Sequence, residues 1–221
     1  MTSFSRAPRL VKGAIVAVDP KTNRVDRSIA FQYNPETLSR SLQIQVAEGE
    51  GNARAEALRI KGAPIETFRL DVEIDASDRL EKAEQAAIDL GIYPQLAALE
   101  SLVYPDINDV IKNMSDAANG ELEIVPLEAP MTLLVWGKRR VLPVRITDLS
   151  IAEEAYDVNL NPIRARVTLS LRVLTYDDLP WRQRGSTLFV THHREKQNLA
   201  RRSSLSTAEA TKITQVNIAG L

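Results

Sequence analysis

Apolar and polar residues alternate singly through much of this chain, and the alternation is cleanest in two places. From Ile65 to Ile74, Phe68, Leu70, Val72 and Ile74 share one parity, while Thr67, Arg69, Asp71 and Glu73 share the other. From Arg164 to Leu174, Ala165, Val167, Leu169, Leu171 and Val173 oppose Arg164, Arg166, Thr168, Ser170 and Arg172. A period of two puts all apolar residues on one side of a strand, so each stretch predicts a strand with one buried face. Shorter stretches follow the same rule. Residues 11–18 and 28–33 form a predicted hairpin around the turn Asp19-Pro20-Lys21-Thr22-Asn23, and 39–46 presents Leu42, Ile44 and Val46 on one side. In the second half, 131–136 and 141–149 flank a turn at Gly137-Lys-Arg-Arg140, and a further strand over 150–158 precedes the turn Asn159-Leu-Asn-Pro162. Long ladders without helices between them need antiparallel neighbours, so a meander or barrel is expected rather than a βαβ fold.

The pattern changes near Asp78, which is placed to cap a helix with Glu81 at its third position. Gly91 and Pro94 divide the helical stretch, giving predicted helices over 78–90 and 94–103, the second with a stripe of Leu96, Leu99, Leu102 and Val103. A shorter helix is expected over 106–114, which makes 78–114 a helical insertion in a β-rich body. Residues 47–57 are small and charged with no period, as in a mobile loop or arm. Beyond Tyr176 the break Asp177-Asp178-Leu179-Pro180 and a Ser- and Arg-rich composition predict an extended arm. The expected class is mainly β with one or two helices (α+β), in two parts: a body over 1–176 and a basic extended arm over 177–221.

With 28 basic and 29 acidic residues the formal charge is −1, so no global field draws the chain to nucleic acid or anionic lipid. The arm differs. Residues 181–221 hold seven cations, among them Arg201 and Arg202, against Glu195 and Glu209. There is no cysteine, so disulfides and thiolate chemistry are excluded. No apolar run has signal-peptide or membrane-spanning length, which makes a cytoplasmic location the expectation.

Candidate chemistry is sparse. His192 and His193 are adjacent, poorly placed to share a metal, and read as surface histidines. The carboxylates mostly lie opposite apolar residues on strands, which does not describe a buried acid–base pair. Gly49 and Gly51 belong to no phosphate-binding motif. Arg164, Arg166 and Arg172 line one strand face, which reads as solvated or paired with acidic groups of a neighbouring subunit, with nucleic acid as a lesser alternative because only three basic groups and few aromatics are present. Trp136-Gly137 suits a packed strand end followed by a tight turn. Catalytic, cofactor and metal residues are therefore not expected, and the chemistry favours contact with other proteins.

Three pieces, Phe31-Gln-Tyr33-Asn34-Pro35-Glu36, Leu133-Leu-Val-Trp136-Gly137 and Asn161-Pro-Ile-Arg164-Ala-Arg-Val-Thr168-Leu, occur in an order and spacing that resembles the tube-adaptor proteins of contractile injection systems. The resemblance covers about residues 11–175. It implies a tail-tube-like β-barrel or sandwich with an accessory helix, assembled as a sixfold ring in a baseplate. The implied ring joins the inner tube to the central spike or hub and touches other baseplate or sheath proteins, without catalysis, cofactor or nucleic acid. In this reading Asn34, Pro35 and Glu36 belong to the turn after the first hairpin, and Trp136 and Gly137 mark a strand corner. Arg164, Arg166 and Arg172 lie in the ring's sheet, and Arg201 and Arg202 belong to a strap onto an adjacent protein. Some members carry a LysM-type module after this domain; the residues after 176 do not show its pattern. A tube terminator, another collar protein of a phage tail-like particle, and an unrelated β-rich binding module are the alternatives.

Overall fold

The two longest alternating stretches lie side by side in the sheet. A computed structural model of the chain describes residues 11–19, 22, 24–46, 59–120, 127, 129–203 and 207–216. Its strands are β1 (Ala14–Val18), β2 (Val25–Ala30), β3 (Leu38–Gln43), β4 (Ile65–Asp75), β5 (Met131–Val135), β6 (Val141–Tyr156) and β7 (Pro162–Val173). They form one seven-stranded antiparallel sheet in the order β2-β1-β5-β6-β7-β4-β3. In the register, Ile146, Leu171 and Phe68 make one apolar row across β6, β7 and β4, and Leu149, Leu169 and Leu70 make the next. These rows, with Val72, Val167 and Ile151, are the floor of the core. Each fully covered aliphatic side chain is worth roughly 1.5–3 kcal/mol relative to exposure, so the rows dominate the stability of the sheet.

The sheet curls but does not close. Asp75 N–H at the end of β4 donates to the Gln32 side-chain oxygen at 3.0 Å, drawing together segments near opposite margins. Between them lies a cleft of about 360 Å³ lined by Ile29, Phe31, Val72, Ile74, Arg79 and Leu99, among others. Among the described residues no ladder joins β2 to β3, so the expected barrel is instead an open sheet with two edges. The expected strands over 141–149 and 150–158 are one strand, β6, with irregular register at Ile146/Asp148 and again from Glu153 to Tyr156. An extra residue at Thr147 shifts the apolar parity from Val144 and Ile146 to Leu149 and Ile151, so one bent strand has the pattern of two.

Four short helices follow β4. They are α1 (Ser77–Glu81), α2 (Gln85–Leu90), α3 (Tyr93–Glu100) and α4 (Ile107–Ala118). The predicted cap at Asp78 does not form: the helix starts one residue earlier, and the Asp75 carboxylate accepts from Ser77 N–H at 2.6 Å. Ala83, at φ 53°, splits the expected 78–90 helix into α1 and α2. Gly91 has φ 58° and faces the Pro162 carbonyl so closely that a Cβ would collide with it. That carbonyl accepts from Ile92 N–H at 2.8 Å, which seats α3 with Leu96 and Leu99 in the core beside Ile92 and Leu102.

The C-terminal part corrects the sequence reading. Instead of an extended arm, the chain forms α5 (Arg184–Ser203) and α6 (Thr207–Thr214). The first half of α5 packs on the body. Phe189 joins the core, and Gly185 lies where a Cβ would meet Leu179 and Pro143. Leu133 and Pro143, on the opposite side of the sheet from Leu134 and Leu142, are buried as well. The expected loop over 47–57 lies outside the described residues.

Candidate assembly interface

Among the described residues, the surfaces that invite another protein are the margins of the sheet. β3 has β4 on one side and no strand on the other, leaving backbone donors and acceptors open along an edge. Its apolar face runs on past the core through Leu42, Ile44 and Val46. Ile44 is 68% exposed, and Ile60, bridged antiparallel to Val46, is 64% exposed. The extension is held in place by Lys61 N–H donating to the Gln45 carbonyl at 2.9 Å, and by the Gln45 amide donating to the Ala63 carbonyl at 2.8 Å. β2 is the other edge, with every side chain except that of Ile29 exposed.

Beside β3 lies a buried ion cluster. Glu66 has the same parity in β4 as Phe68 and faces the core side, with its side chain only 3% exposed. One of its oxygens accepts from Lys196 Nζ of α5 at 2.7 Å; the other lies 3.7 Å from Arg40 Nη1 of β3 and has no hydrogen-bond partner. The carboxylate therefore ties the edge strand to the C-terminal helix. One turn back along α5, His192 Nδ1 lies 3.4 Å from the Arg139 carbonyl, and its Nε2 is buried without a partner. Burial pushes the His192 pKa below its ordinary value, and the Lys196 charge acts in the same direction. His193 instead packs its ring against Phe189 at 6.2 Å between centroids. On a helix the two histidines point about 100° apart. No group of acidic and histidine side chains suited to a metal occurs among the described residues. The sequence signal for Glu66 is its parity with Phe68; for α5 it is the helical spacing of Phe189, His192, Lys196 and Leu199.

The residues singled out from sequence fall in three places. Asn34 ties the start of β1 to the segment after β2: its oxygen accepts from Gly13 N–H at 2.8 Å and its amide donates to the Val11 carbonyl at 2.9 Å. It bonds across the hairpin rather than to its own local backbone. Pro35 is half-buried and Glu36 exposed on the same turn. Trp136 packs on Phe31 at 6.4 Å between centroids and covers Gly13, where a Cβ would lie 2.8 Å from the indole. Gly137, at φ 72°, makes the turn that Trp136 N–H closes on the Arg140 carbonyl at 2.7 Å.

The arginines of β7 have acidic partners within the chain, and Arg164 and Arg166 are also exposed. Arg164 Nε donates to Asp75 at 2.7 Å, Arg166 lies 3.7 Å from Glu154, and Arg172 binds Asp178 at 2.6 Å. Burial pushes the Asp75 pKa up, but hydrogen bonds from Ser77 and the adjacent Arg164 outweigh it and hold the carboxyl below its ordinary value. These pairs fasten neighbouring strands and the segment after β7 within one chain. Arg201 and Arg202 are exposed in the last turn of α5.

Among the described residues the geometry is thus an open sheet with an apolar margin. Residues 9–179 match the family model described as "Contractile injection system tube protein", and the chain belongs to that family. Among solved structures, one described as "Tail of empty GTA particle computed with helical refinement, C6 symmetry" is similar at 11% identity, with a TM-score of 0.29 over 73% of this chain and 90% of that one. No curated protein matches. Among the described residues no helix is long and apolar enough to cross a membrane.

Proposed function

We propose that this chain is the adaptor ring of a contractile injection baseplate, joining the inner tube to the central spike or hub. The observation that carries the reading is the open sheet. Among the described residues β2 and β3 are unpaired edges at opposite margins, and β3 continues into exposed Leu42, Ile44 and Val46. A contact between unlike edges is heterologous, so repeating it around an axis closes a ring in which every edge is satisfied by an identical neighbour. Six copies is the proposed number. The family supports a place on the tube axis, and α5 and α6 lie beyond the matched residues, giving the subunit helices to offer to spike, sheath or other baseplate proteins. Assembly takes place in the cytoplasm, in a particle that is later released or docked on a membrane. The chain's part is structural, without catalysis, cofactor or nucleic acid.

Electron microscopy of particles carrying a tagged copy of the chain tests this. One ring of label at the junction of tube and spike is expected. Label along the whole tube would make the chain a tube subunit, label at the distal end a terminator, and either result overturns the adaptor reading.

A further inference from the structure

Two exposed helical surfaces of opposite charge occur in this one chain. The first is α4. Ile107, Ile111 and Met114 recur at spacings of four and three, and so share a face; they are 64, 58 and 68% exposed. No residue of α4 is buried, and a twelve-residue helix alone in water is marginal. From its cap Asp106 to Ala118, three carboxylates, Asp106, Asp109 and Asp116, stand against Lys112. The second surface is the distal part of α5 with α6. Between Arg194 and Ser203 three cations, Arg194, Arg201 and Arg202, stand against Glu195, while Lys196 is held by Glu66. Leu199, Ile213 and Val216 are exposed there. Exposure of both surfaces means that they do not cover one another within a protomer.

We propose that they mate between copies, the apolar face of α4 receiving the distal α5 and α6 of the next subunit. The inference rests on the ring reading above and adds the contact that sits outside the strand edges. Helical spacing puts Asp109 and Asp116 on the back of α4, away from Ile107 and Ile111. Charge therefore steers the approach, while Ile107, Ile111 and Met114 supply the buried contact. A foreign partner would account for one of the two faces; a second copy accounts for both, because each surface meets its complement on the same chain. The two faces differ, so the contact is heterologous and propagates around an axis.

The absence of cysteine makes the test direct. Met114→Cys and Leu199→Cys are made as separate full-length variants, mixed, and treated with a short bis-maleimide, while sedimentation of the same mixture reports the oligomer. The mixed cross-linked dimer should form in excess of either homodimer. Ile111→Asp should lower its yield several-fold with the melting temperature unchanged, since no residue of α4 is buried. Arg202→Glu should slow formation of the mixed cross-link several-fold at low salt and much less at high salt, because charge steers the approach from outside the contact. A closed oligomer without the mixed cross-link overturns this contact and leaves the ring standing. Cross-linked chains that never close would establish the contact and sink the ring, and a monomer without cross-link would overturn both.

Discussion

β7 and β3 carry the same alternation and end in opposite states. In β7, Ala165, Val167, Leu169, Leu171 and Val173 are all at 0% exposure, because β6 and β4 flank the strand and its apolar face lies in the core. In β3 and its continuation, Leu42, Ile44 and Val46 keep the same period yet remain exposed, with β4 as the single neighbour of the strand among the described residues. Alternation thus tells which face of a strand is apolar. Place in the sheet order decides whether the strands beside it cover that face.

The strongest way to sharpen the contrast is to cut into β7. Leu169 sits in the middle of the row Leu149–Leu169–Leu70, so Leu169→Ala loses a buried isobutyl group and leaves a cavity between two paired strands. A loss of about 2–5 kcal/mol in unfolding free energy is expected by urea denaturation. A loss under about 1 kcal/mol would mean that the centre of the sheet is as loosely held as its margin.

A smaller effect is expected where the margin is pinned to the body. Lys196→Ala removes the 2.7 Å partner of the buried Glu66 carboxylate and leaves it with Arg40 alone at 3.7 Å. Leaving a buried acceptor short of a donor costs about 1–3 kcal/mol. The double variant Glu66→Leu with Lys196→Met should recover most of that loss, because replacing both members of a buried pair by apolar groups is often close to neutral. If the double variant is as unstable as the sum of the single ones, the pair does not act as a unit, and α5 is held by Phe189 and its neighbours instead.

These two sites also mark what the sequence makes legible. β4 and β7 can be read almost to the residue, since a one-sided strand eleven or twelve residues long leaves little freedom of register. β6 cannot, because the extra residue at Thr147 reverses parity midway and a period of two does not carry through a bulge. The C-terminal helix is hidden by its composition. Ser and Arg outweigh the weaker spacing of Phe189, His192, Lys196 and Leu199, which takes effect only when a sheet face is present to pack against. The arginines of β7 share one face, as their parity predicts. Their partners Asp75, Glu154 and Asp178 come from other parts of the chain, and pairing across a fold is invisible in local period.

The smallest effect on the protomer should accompany a change at the margin itself. Ile44→Ser removes an apolar group that the chain leaves in water, so the unfolding free energy of the isolated subunit should move by no more than about 0.5 kcal/mol. Association should respond far more, because the same side chain is an apolar group that a neighbouring copy would cover. Sedimentation of Ile44→Ser beside the unaltered chain, at concentrations spanning the onset of oligomers, reads the two effects apart. A shift of that onset to higher concentration with folding unchanged is the expected outcome. Equal onset for both chains would show that the apolar margin of β3 faces water in the assembly too. The contrast with β7 would then reflect only the scarcity of neighbours at an edge, and the ring contact would have to be sought along β2 and the helices.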